Sequence, residues 1–304
     1  MQDLTADIQR LSETLIYEII NAAGLPKTKG FYRLFRPIFR RPTERMATIG
    51  VELDRRIADQ DVARATGWAL TNWCSRVTAD GQASIPQTGP LLLVANHAGA
   101  YDSFVICSKL GRADFKAISS DIKFFQYLPN VAAHAIFLTG RTGDRMAAAR
   151  AGIRHLQAGG ALLVFGTGLI DPDPAVYPDA EKHIERWSAS VDLFLRTVPA
   201  TKLLLTIVSG VVSAKWARHP VTWLRSVDWQ KRRIAEFGQV ITQLLVPGSL
   251  MLEPNVSFSA PLSVETLRQE SSGQELLPAV IARGKVLLAE HCRRFDCQPL
   301  GSKA

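Results

Sequence analysis

The feature of this sequence that most constrains its fold is an alternation, after Val77, between short apolar runs and stretches with helical periodicity. Several of the helical stretches open with an aspartate, a residue that can cap a helix N-terminus. Strands that alternate with helices are typical of an α/β fold with a largely parallel central sheet flanked by helices. The apolar runs occupy residues 91–95, 115–119, 135–139, 161–165 and 203–209.

The N-terminal part of the chain has a different pattern. Residues 4–22 and 43–76 show the helical period of apolar side chains, and neither stretch contains a chemical motif. We therefore expect an N-terminal helical extension ahead of the α/β domain. The expected division separates residues 1–76, a helical and basic region that faces a membrane, from residues 77–304.

The C-terminal part is expected to complete the α/β domain. Residues 229–246 and 275–295 have amphipathic helical patterns on either side of a possible strand at 251–258. The chain has 304 residues and 47% hydrophobic composition, which is enough to bury a large core. It can do so as one large domain, or as one domain with a smaller appendage.

The positive charge of the chain is concentrated in one segment. Lys and Arg total 36 and Asp and Glu total 28, for a formal charge of +8. Seven of the basic residues lie between Pro26 and Met46, where Glu44 is the only acid. This concentration predicts one surface that binds anions, because a protein that is basic throughout would spread the excess.

The cysteine spacing and the hydropathy of the chain indicate the cellular compartment of the protein and the kind of membrane contact it can make. The four cysteines lack metal-type spacing, which favours reduced thiols in a reducing compartment. The first twenty residues carry scattered charges, so no signal peptide is expected. No stretch approaches the roughly 20 apolar residues of a spanning helix. We therefore expect a cytoplasmic protein whose membrane contact is peripheral.

A histidine and an aspartate follow the first apolar run directly. The run ends at Ala95, His97 comes two residues later, and Asp102 lies five positions after the histidine. On a continuous helix these side chains would point about 140° apart and could not meet. If the strand ends at Ala95, the chain can reverse through Gly99. Both side chains then converge at the C-terminal end of a strand, where open α/β sheets bind ligands.

The chemistry that suits this pair is removal of a proton from a weakly acidic hydroxyl. An imidazole accepts the proton while a carboxylate on its other nitrogen fixes the tautomer and stabilises the imidazolium. The chain has no GxSxG motif, so the expected nucleophile is a hydroxyl of the substrate. The alternative is that Asp102 only caps the following helix and His97 is an ordinary loop residue.

Residues Asn96 to Asp102, after an apolar strand preceded by Gly-Pro, resemble the NHxxxxD motif of the glycerolipid acyltransferases, which include 1-acylglycerol-3-phosphate acyltransferases. The resemblance covers roughly residues 77–260. It implies acyl transfer from acyl-CoA or acyl carrier protein to a lysolipid hydroxyl, with no cofactor and no metal. It also implies that His97 is the general base, that Asp102 orients it, and that Asn96 lies in the substrate site.

Two further blocks of the family have partial counterparts. Residues 135–145 are similar to the second block, and the resemblance implies that Arg141 binds the phosphate of the acceptor. A planar guanidinium suits bidentate phosphate binding, although Arg141 could also be a solvated loop residue. Residues 203–213 have the apolar run of the fourth block, with Thr206 where the family has proline.

The third block departs from the family, which has Phe-Pro-Glu-Gly-Thr. Here Phe165 and Gly168 match, whereas Gly166 replaces the proline and Thr167 replaces the glutamate. The resemblance implies that Thr167 and Gly168 belong to the acceptor site, but threonine lacks the two charge-assisted acceptors of a carboxylate. Either the acceptor is not a glycerol phosphate, or an acid substitutes for the glutamate, or activity is weakened. The nearby acids Asp171 and Asp173 are interpreted as parts of a proline-ordered turn.

Two segments could contact an anionic membrane. In residues 30–42 the apolar side chains follow helical spacing with arginines between them, the pattern of a helix in a bilayer interface. Pro37 predicts two short helical pieces that meet at that residue. Residues 215–233 hold three of the six tryptophans among basic residues, and tryptophan favours the headgroup region.

Two other classes of function stay open. A non-enzymatic module could bind an anionic membrane or nucleic acid through residues 26–46, but no nucleic-acid motif accompanies this short basic segment. We therefore expect no nucleic-acid partner. A metal hydrolase could use His97, Asp102, His134 or His155, although these residues lack compact ligand spacing.

Overall fold

A computed structural model describes residues 2–22, 28–138, 143–271 and 275–300 of the chain. The predicted site residue Arg141 lies outside these ranges. Within them the protein is an α/β structure with a central, mostly parallel sheet and helices on both faces, as the alternating pattern predicted.

The strands form one sheet in the order β1-β7-β6-β2-β5-β3-β4, and β8 pairs with β6. Strands β7 and β8 run antiparallel to β6, and the remaining pairs are parallel. Strand β2 therefore lies in the middle of the sheet, between β5 and β6. The strands are β1 Thr78–Asp80, β2 Leu91–Ala95, β3 Phe115–Ser120, β4 Ala135–Leu138, β5 Ala161–Phe165, β6 Lys202–Ser209, β7 Asn255–Phe258 and β8 Leu262–Ser263.

Strand β2 is an unbroken apolar run because both of its faces are covered. All five of its residues are buried, as expected for a parallel strand with helices on each side. Leu91, Leu93 and Ala95 point into one hydrophobic core, whereas Leu92 and Val94 point into the other. The strand that precedes His97 is thus fixed from both sides.

The helices cover the two faces of the sheet. One core contains residues of α2, α3 and α4, and the opposite core contains residues of α7, α9, α12 and α13. The helices are α1 Gln2–Ala22, α2 Lys29–Asp59, α3 Val62–Leu70, α4 Asp102–Leu110, α5 Lys123–Gln126, α6 Pro129–Ala133, α7 Asp144–Gln157, α8 Ala180–Ile184, α9 Ser190–Thr197, α10 Ala214–Ala217, α11 Asp228–Leu245, α12 Val264–Glu270 and α13 Leu277–Arg294, with 3₁₀ turns at Gln82–Ser84 and Pro220–Leu224.

The N-terminal helices differ in their limits from the predicted ones. The expected break at Pro37 and the expected helix over residues 43–76 are both wrong, because α2 runs without interruption through Pro37 and Pro42 to Asp59. Packing against α1 supports this helix. The Tyr17 and Tyr32 rings stack with centroids 4.6 Å apart, and the hydroxyls of Ser12 and Thr43 are 2.8 Å apart. The chain then turns, and Asp61 caps α3 by accepting the Arg64 N–H.

The predicted division of the chain at residues 76 and 77 stays a prediction. Ile49 and Leu53 of α2 and Ala65 of α3 lie in the same hydrophobic core as Leu93 of β2. The N-terminal helices therefore contribute side chains to the core beneath the sheet. Among the described residues, no helix is both long enough and apolar enough to cross a membrane.

The cysteine thiols are free in this structure. Cys74 and Cys107 are buried, and burial raises the pKa of each thiol to about 12. Thiols with such high pKa values are poor nucleophiles at neutral pH. Cys292 and Cys297 are partly buried near the end of α13.

Candidate active site

The candidate site lies at the carboxyl ends of three neighbouring parallel strands. Strand β2 continues into Asn96 and His97, β5 continues into Gly166 and Thr167, and β6 continues into Gly210. Because these strands are parallel and in register, the segments that follow them meet at one edge of the sheet.

Asn96 extends the pairing of β2 with β6 through its side chain. Its amide nitrogen donates to the Val208 carbonyl at 2.9 Å, and its amide oxygen accepts the Val208 N–H at 2.8 Å. The side chain is buried and fixes the point where the chain leaves the sheet. Substrate contact by Asn96 stays a prediction, since the interactions seen here position the following residue.

His97 and Asp102 meet, as their spacing predicted. The Nδ1 atom of His97 lies 2.7 Å from Oδ2 of Asp102, which is a short hydrogen bond. Asp102 is almost fully buried in the first turn of α4. Its Oδ2 also accepts the Gly99 N–H at 3.2 Å, and its Oδ1 accepts the Ser103 N–H at 2.6 Å. The carboxylate therefore does more than cap a helix, because it holds the imidazole.

Gly99 lies in the turn between His97 and Asp102 and is closely packed against neighbouring side chains. A Cβ atom at this position would lie 3.3 Å from a methyl group of Val211 and 3.7 Å from Oε1 of Glu236. The glycine therefore lets the turn approach the loop after β6, which a larger side chain would push away.

The ring of His97 is held on one face and is partly exposed to solvent. It stacks on Phe165, the last residue of β5, with ring centroids 4.2 Å apart and planes 15° apart. The His97 side chain is 29% exposed. Because Nδ1 is bound to Asp102, Nε2 is the ring nitrogen that can accept a proton from a bound hydroxyl.

The surroundings of His97 increase its affinity for a proton. Burial alone would lower the pKa of the ring, but the charge and hydrogen bond of Asp102 outweigh burial, and Glu236 and Asp171 add smaller effects of the same sign. Together they raise the pKa of His97 to about 9. The imidazolium that would form during proton abstraction is therefore well stabilised.

Asp171 anchors the backbone of His97. Its Oδ2 accepts the His97 N–H at 2.9 Å, and its own N–H donates to the His97 carbonyl at 2.7 Å. Its Oδ1 accepts from the Thr167 hydroxyl at 2.8 Å and lies 3.1 Å from Nδ1 of His183. The interpretation of Asp171 as part of a simple turn was therefore incomplete, because this buried carboxylate joins the loops after β2 and β5.

Asp173 anchors the backbone of the loop after β6. Its fully buried carboxylate accepts the backbone N–H groups of Gly210, Val211 and Val212 at 2.8–3.0 Å, together with that of Ala175. The turn interpretation was incomplete for this residue too. Because all of these donors are backbone groups, Asp173 fixes the wall of the site and does not face a substrate.

The other third-block residues occupy the loop between β5 and Asp171. The Thr167 hydroxyl donates to Asp171 and accepts the Leu169 N–H at 3.2 Å. Gly168 adopts a positive φ of 67° in an open position, where no atom approaches within 4 Å of a built Cβ. At Gly166 a Cβ atom would lie 2.3 Å from the indole ring of Trp187, so that ring occupies the space of a side chain. Contact of Thr167 and Gly168 with an acceptor stays a prediction.

One acidic residue at the site was not identified from the sequence. Glu236 lies on α11, and its carboxylate accepts the Ala100 N–H in the turn between His97 and Asp102. Burial raises the pKa of this carboxyl to about 7, although the charge of His97 acts in the opposite direction. No spacing pattern connects a helix so far along the chain with residues 97–102, so the sequence contained no signal for this contact.

The remaining histidines of the metal hypothesis lie at the opposite edge of the sheet. His134 precedes β4 and its Nδ1 lies 2.7 Å from the Phe115 carbonyl. Nε2 of His155 lies 2.8 Å from the Asp114 carbonyl. Among the residues that the structure describes, no group of three or more His, Cys, Asp or Glu side chains is arranged to hold a metal ion.

Among solved structures, the chain is similar to the crystal structure of the 1-acyl-sn-glycerophosphate (LPA) acyltransferase PlsC from Thermotoga maritima. The identity is 19%, the TM-score is 0.45, and the alignment covers 93% of this chain and 96% of that chain. No protein-family model and no curated protein sequence matches the chain.

Proposed function

We propose that the protein is a membrane-peripheral acyltransferase that moves a fatty acyl group from a thioester to a hydroxyl of a lysophospholipid-like acceptor. The observation that carries this proposal is the 2.7 Å contact between His97 and Asp102 at the end of the central strand. The resemblance of residues 96–102 to the NHxxxxD motif supports the same reaction. Acyl-CoA or acyl carrier protein is the proposed co-substrate, and no cofactor is required.

In the proposed reaction His97 acts first as a base and then as an acid. Its Nε2 accepts the hydroxyl proton as the acceptor oxygen attacks the thioester carbonyl, and Asp102 stabilises the imidazolium. The tetrahedral intermediate then collapses, the carbon–sulfur bond breaks, and the leaving thiolate takes the proton from His97. The products are an ester and a free thiol, so His97 returns to its starting state.

The acceptor headgroup is proposed to lie against the loops after β4 and β5. Arg141 would bind an acceptor phosphate, and Thr167 and Gly168 would line the same side. A second candidate is an acceptor without phosphate, which is favoured by the position of Thr167. Its hydroxyl is bound to Asp171 where the family has a glutamate, and neither Asp171 nor Asp173 faces the site as a replacement.

An anionic membrane surface on the cytoplasmic side is the proposed location of the reaction. Leu34 and Ile38 on α2 are 61% and 59% exposed, with Arg33, Arg36 and Arg41 exposed around them. Trp223 and Leu224, before α11, are 74% and 76% exposed. Exposed apolar side chains beside arginines suit the interface of a bilayer with anionic headgroups.

The decisive experiment is a transfer assay with purified protein, labelled acyl-CoA or acyl carrier protein, and a panel of lysolipids with and without a phosphate monoester. We expect ester formation, and we expect His97→Ala to remove it while the circular dichroism spectrum is unchanged. His134→Ala, which removes an imidazole at the opposite edge of the sheet, is the matched control and should keep its activity. Full turnover by His97→Ala would refute the proposed mechanism.

A further inference from the structure

Three carboxylates act on His97, and two of them are hydrogen-bonded to it. Asp102 holds the ring, and Asp171 holds the backbone of His97 together with Thr167. The third carboxylate belongs to Glu236. This residue comes from α11, an element that supplies none of the motif residues discussed above.

Glu236 is placed over the turn that joins the base to its orienting carboxylate. Its carboxylate accepts the Ala100 N–H, and its Oε1 would lie 3.7 Å from a Cβ atom built on Gly99. The same helix is fixed next to the turn by Gln243, whose Oε1 accepts the Tyr101 hydroxyl at 2.8 Å. Two side chains of α11 therefore hold the segment between His97 and Asp102.

We propose that Glu236 is a positioning residue of the active site, a role that rests on the proposed acyl transfer: it holds the turn at Ala100 and stabilises the protonated form of His97. The hydrogen bond alone does not require a charge, because a glutamine would accept the same N–H. Glutamate differs from glutamine here in the negative charge that it carries once the pH exceeds its pKa of about 7.

The charge of Glu236 changes the strength of the base. A base with higher proton affinity takes the proton of an alcohol more readily. However, a larger fraction of the free enzyme then carries an already protonated base at neutral pH, and this fraction cannot accept the proton. The charged groups around Glu236 have both signs, so the net effect of this residue on the proton affinity of His97 also depends on those groups. The ionisable groups that act on Glu236, or on which it acts, are His97, Asp102, Arg233, Tyr101 and Tyr177.

The proton affinity of His97 can be measured without any turnover. Diethyl pyrocarbonate modifies neutral imidazole, so the rate of modification of the His97 peptide, followed by mass spectrometry against pH, reports its protonation. We expect Glu236→Gln to lower the midpoint by about one pH unit, a tenfold change in proton affinity. Glu236→Asp keeps the charge and should lie between Glu236→Gln and the unaltered protein. Glu290→Gln, at an exposed position on α13, should cause no shift.

Equal midpoints for Glu236→Gln and the unaltered protein would overturn the proposal, as would an equal shift in Glu236→Asp and Glu236→Gln.

The transfer assay gives a second, independent test. In Glu236→Gln the acid limb of kcat/KM should move to lower pH while the alkaline plateau falls, because the base is weaker. A purely structural role would lower the profile at every pH without moving the limb. If transfer is absent from all proteins but the modification midpoints still shift, the acyltransferase proposal fails and the placement of Glu236 beside His97 stands.

Discussion

At the residue scale, the protonation of His97 leads to a prediction about pH. As the proposed base, His97 must be neutral to accept a proton, and its pKa is raised to about 9 because burial is outweighed by the charge and hydrogen bond of Asp102 together with the charges of Glu236 and Asp171. Raising the pH through this value removes the proton, so kcat/KM should rise with pH and its acid limb should lie above the ordinary imidazole pKa of about 6.5. Transfer rates from mildly acidic to alkaline pH, with a fixed acyl donor, test this. A limb at the ordinary imidazole value would contradict the described surroundings of the ring.

The same residues show how much of the site the sequence could reveal. His97 and Asp102 were predictable because they lie five positions apart and one turn brings them together. Asp171 binds the His97 N–H across a separation of 74 residues, and Glu236 comes from a more distant helix. Contacts of this kind depend on how α11 and the loop after β5 pack, so no local pattern predicts them. The role of each residue in catalysis stays a prediction.

At the element scale, strands were easier to predict than the limits of helices. Buried parallel strands are short apolar runs with clear ends, and the predicted run at 91–95 coincides with β2. The extent of α2 was not predictable in the same way, because proline in a helix costs a hydrogen bond and local sequence then favours a break. Packing against α1 and the sheet determines the outcome, and the helix continues to Asp59.

The close packing of Gly166, directly after β5, against Trp187 gives a second prediction. Gly166→Ala would place a methyl group 2.3 Å from the buried indole ring of Trp187, so either the ring or the strand end must move. We expect the free energy of unfolding to fall by about 1–3 kcal/mol, as is usual for overpacking, in urea titrations followed by circular dichroism. Gly67→Ala in α3 is the control, because its Cβ would have an ordinary 3.9 Å contact with Ser108. It should be neutral or stabilising, and equal losses in both variants would contradict the packing argument.

The loop after β6 gives a third prediction. Asp173→Asn replaces one carboxylate oxygen with an amide donor, which would face either the N–H groups of Ala175 and Gly210 that Oδ1 accepts or those of Val211 and Val212 that Oδ2 accepts. Each buried donor left without an acceptor costs about 1–3 kcal/mol, so we expect a loss of about 3 kcal/mol in the free energy of unfolding. Asp296→Asn is the matched control at an exposed position with φ of 48°, which asparagine tolerates. If Asp173→Asn were as stable as the control, the carboxylate would not be the anchor of this loop.

At the scale of the whole molecule, the packing of α11 connects the proposed active site with the proposed membrane surface. This helix carries Glu236 at the site, and its Phe237 ring packs edge-on against Phe39 of α2 at a centroid distance of 6.5 Å. Phe39 directly follows Ile38, one of the exposed apolar residues of the proposed membrane surface. A bilayer held by this part of α2 would therefore lie close to the helix that contacts the turn between His97 and Asp102.

This arrangement predicts that binding to anionic vesicles depends on Leu34 and Ile38. Burying each of these side chains in the interface should contribute about 1–2 kcal/mol, and the neighbouring arginines add an electrostatic part that salt weakens. Flotation with phosphatidylcholine vesicles that contain phosphatidylglycerol should show binding that decreases with added salt. The double variant Leu34→Ser and Ile38→Ser should bind at least tenfold more weakly, because about 1.4 kcal/mol corresponds to tenfold.

The control is Val286→Ser, which removes an apolar side chain that is 52% exposed on α13 and should bind like the unaltered protein. Equal binding by the double variant and this control would show that α2 does not contact the bilayer through these residues, and the membrane surface would then have to lie elsewhere on the molecule.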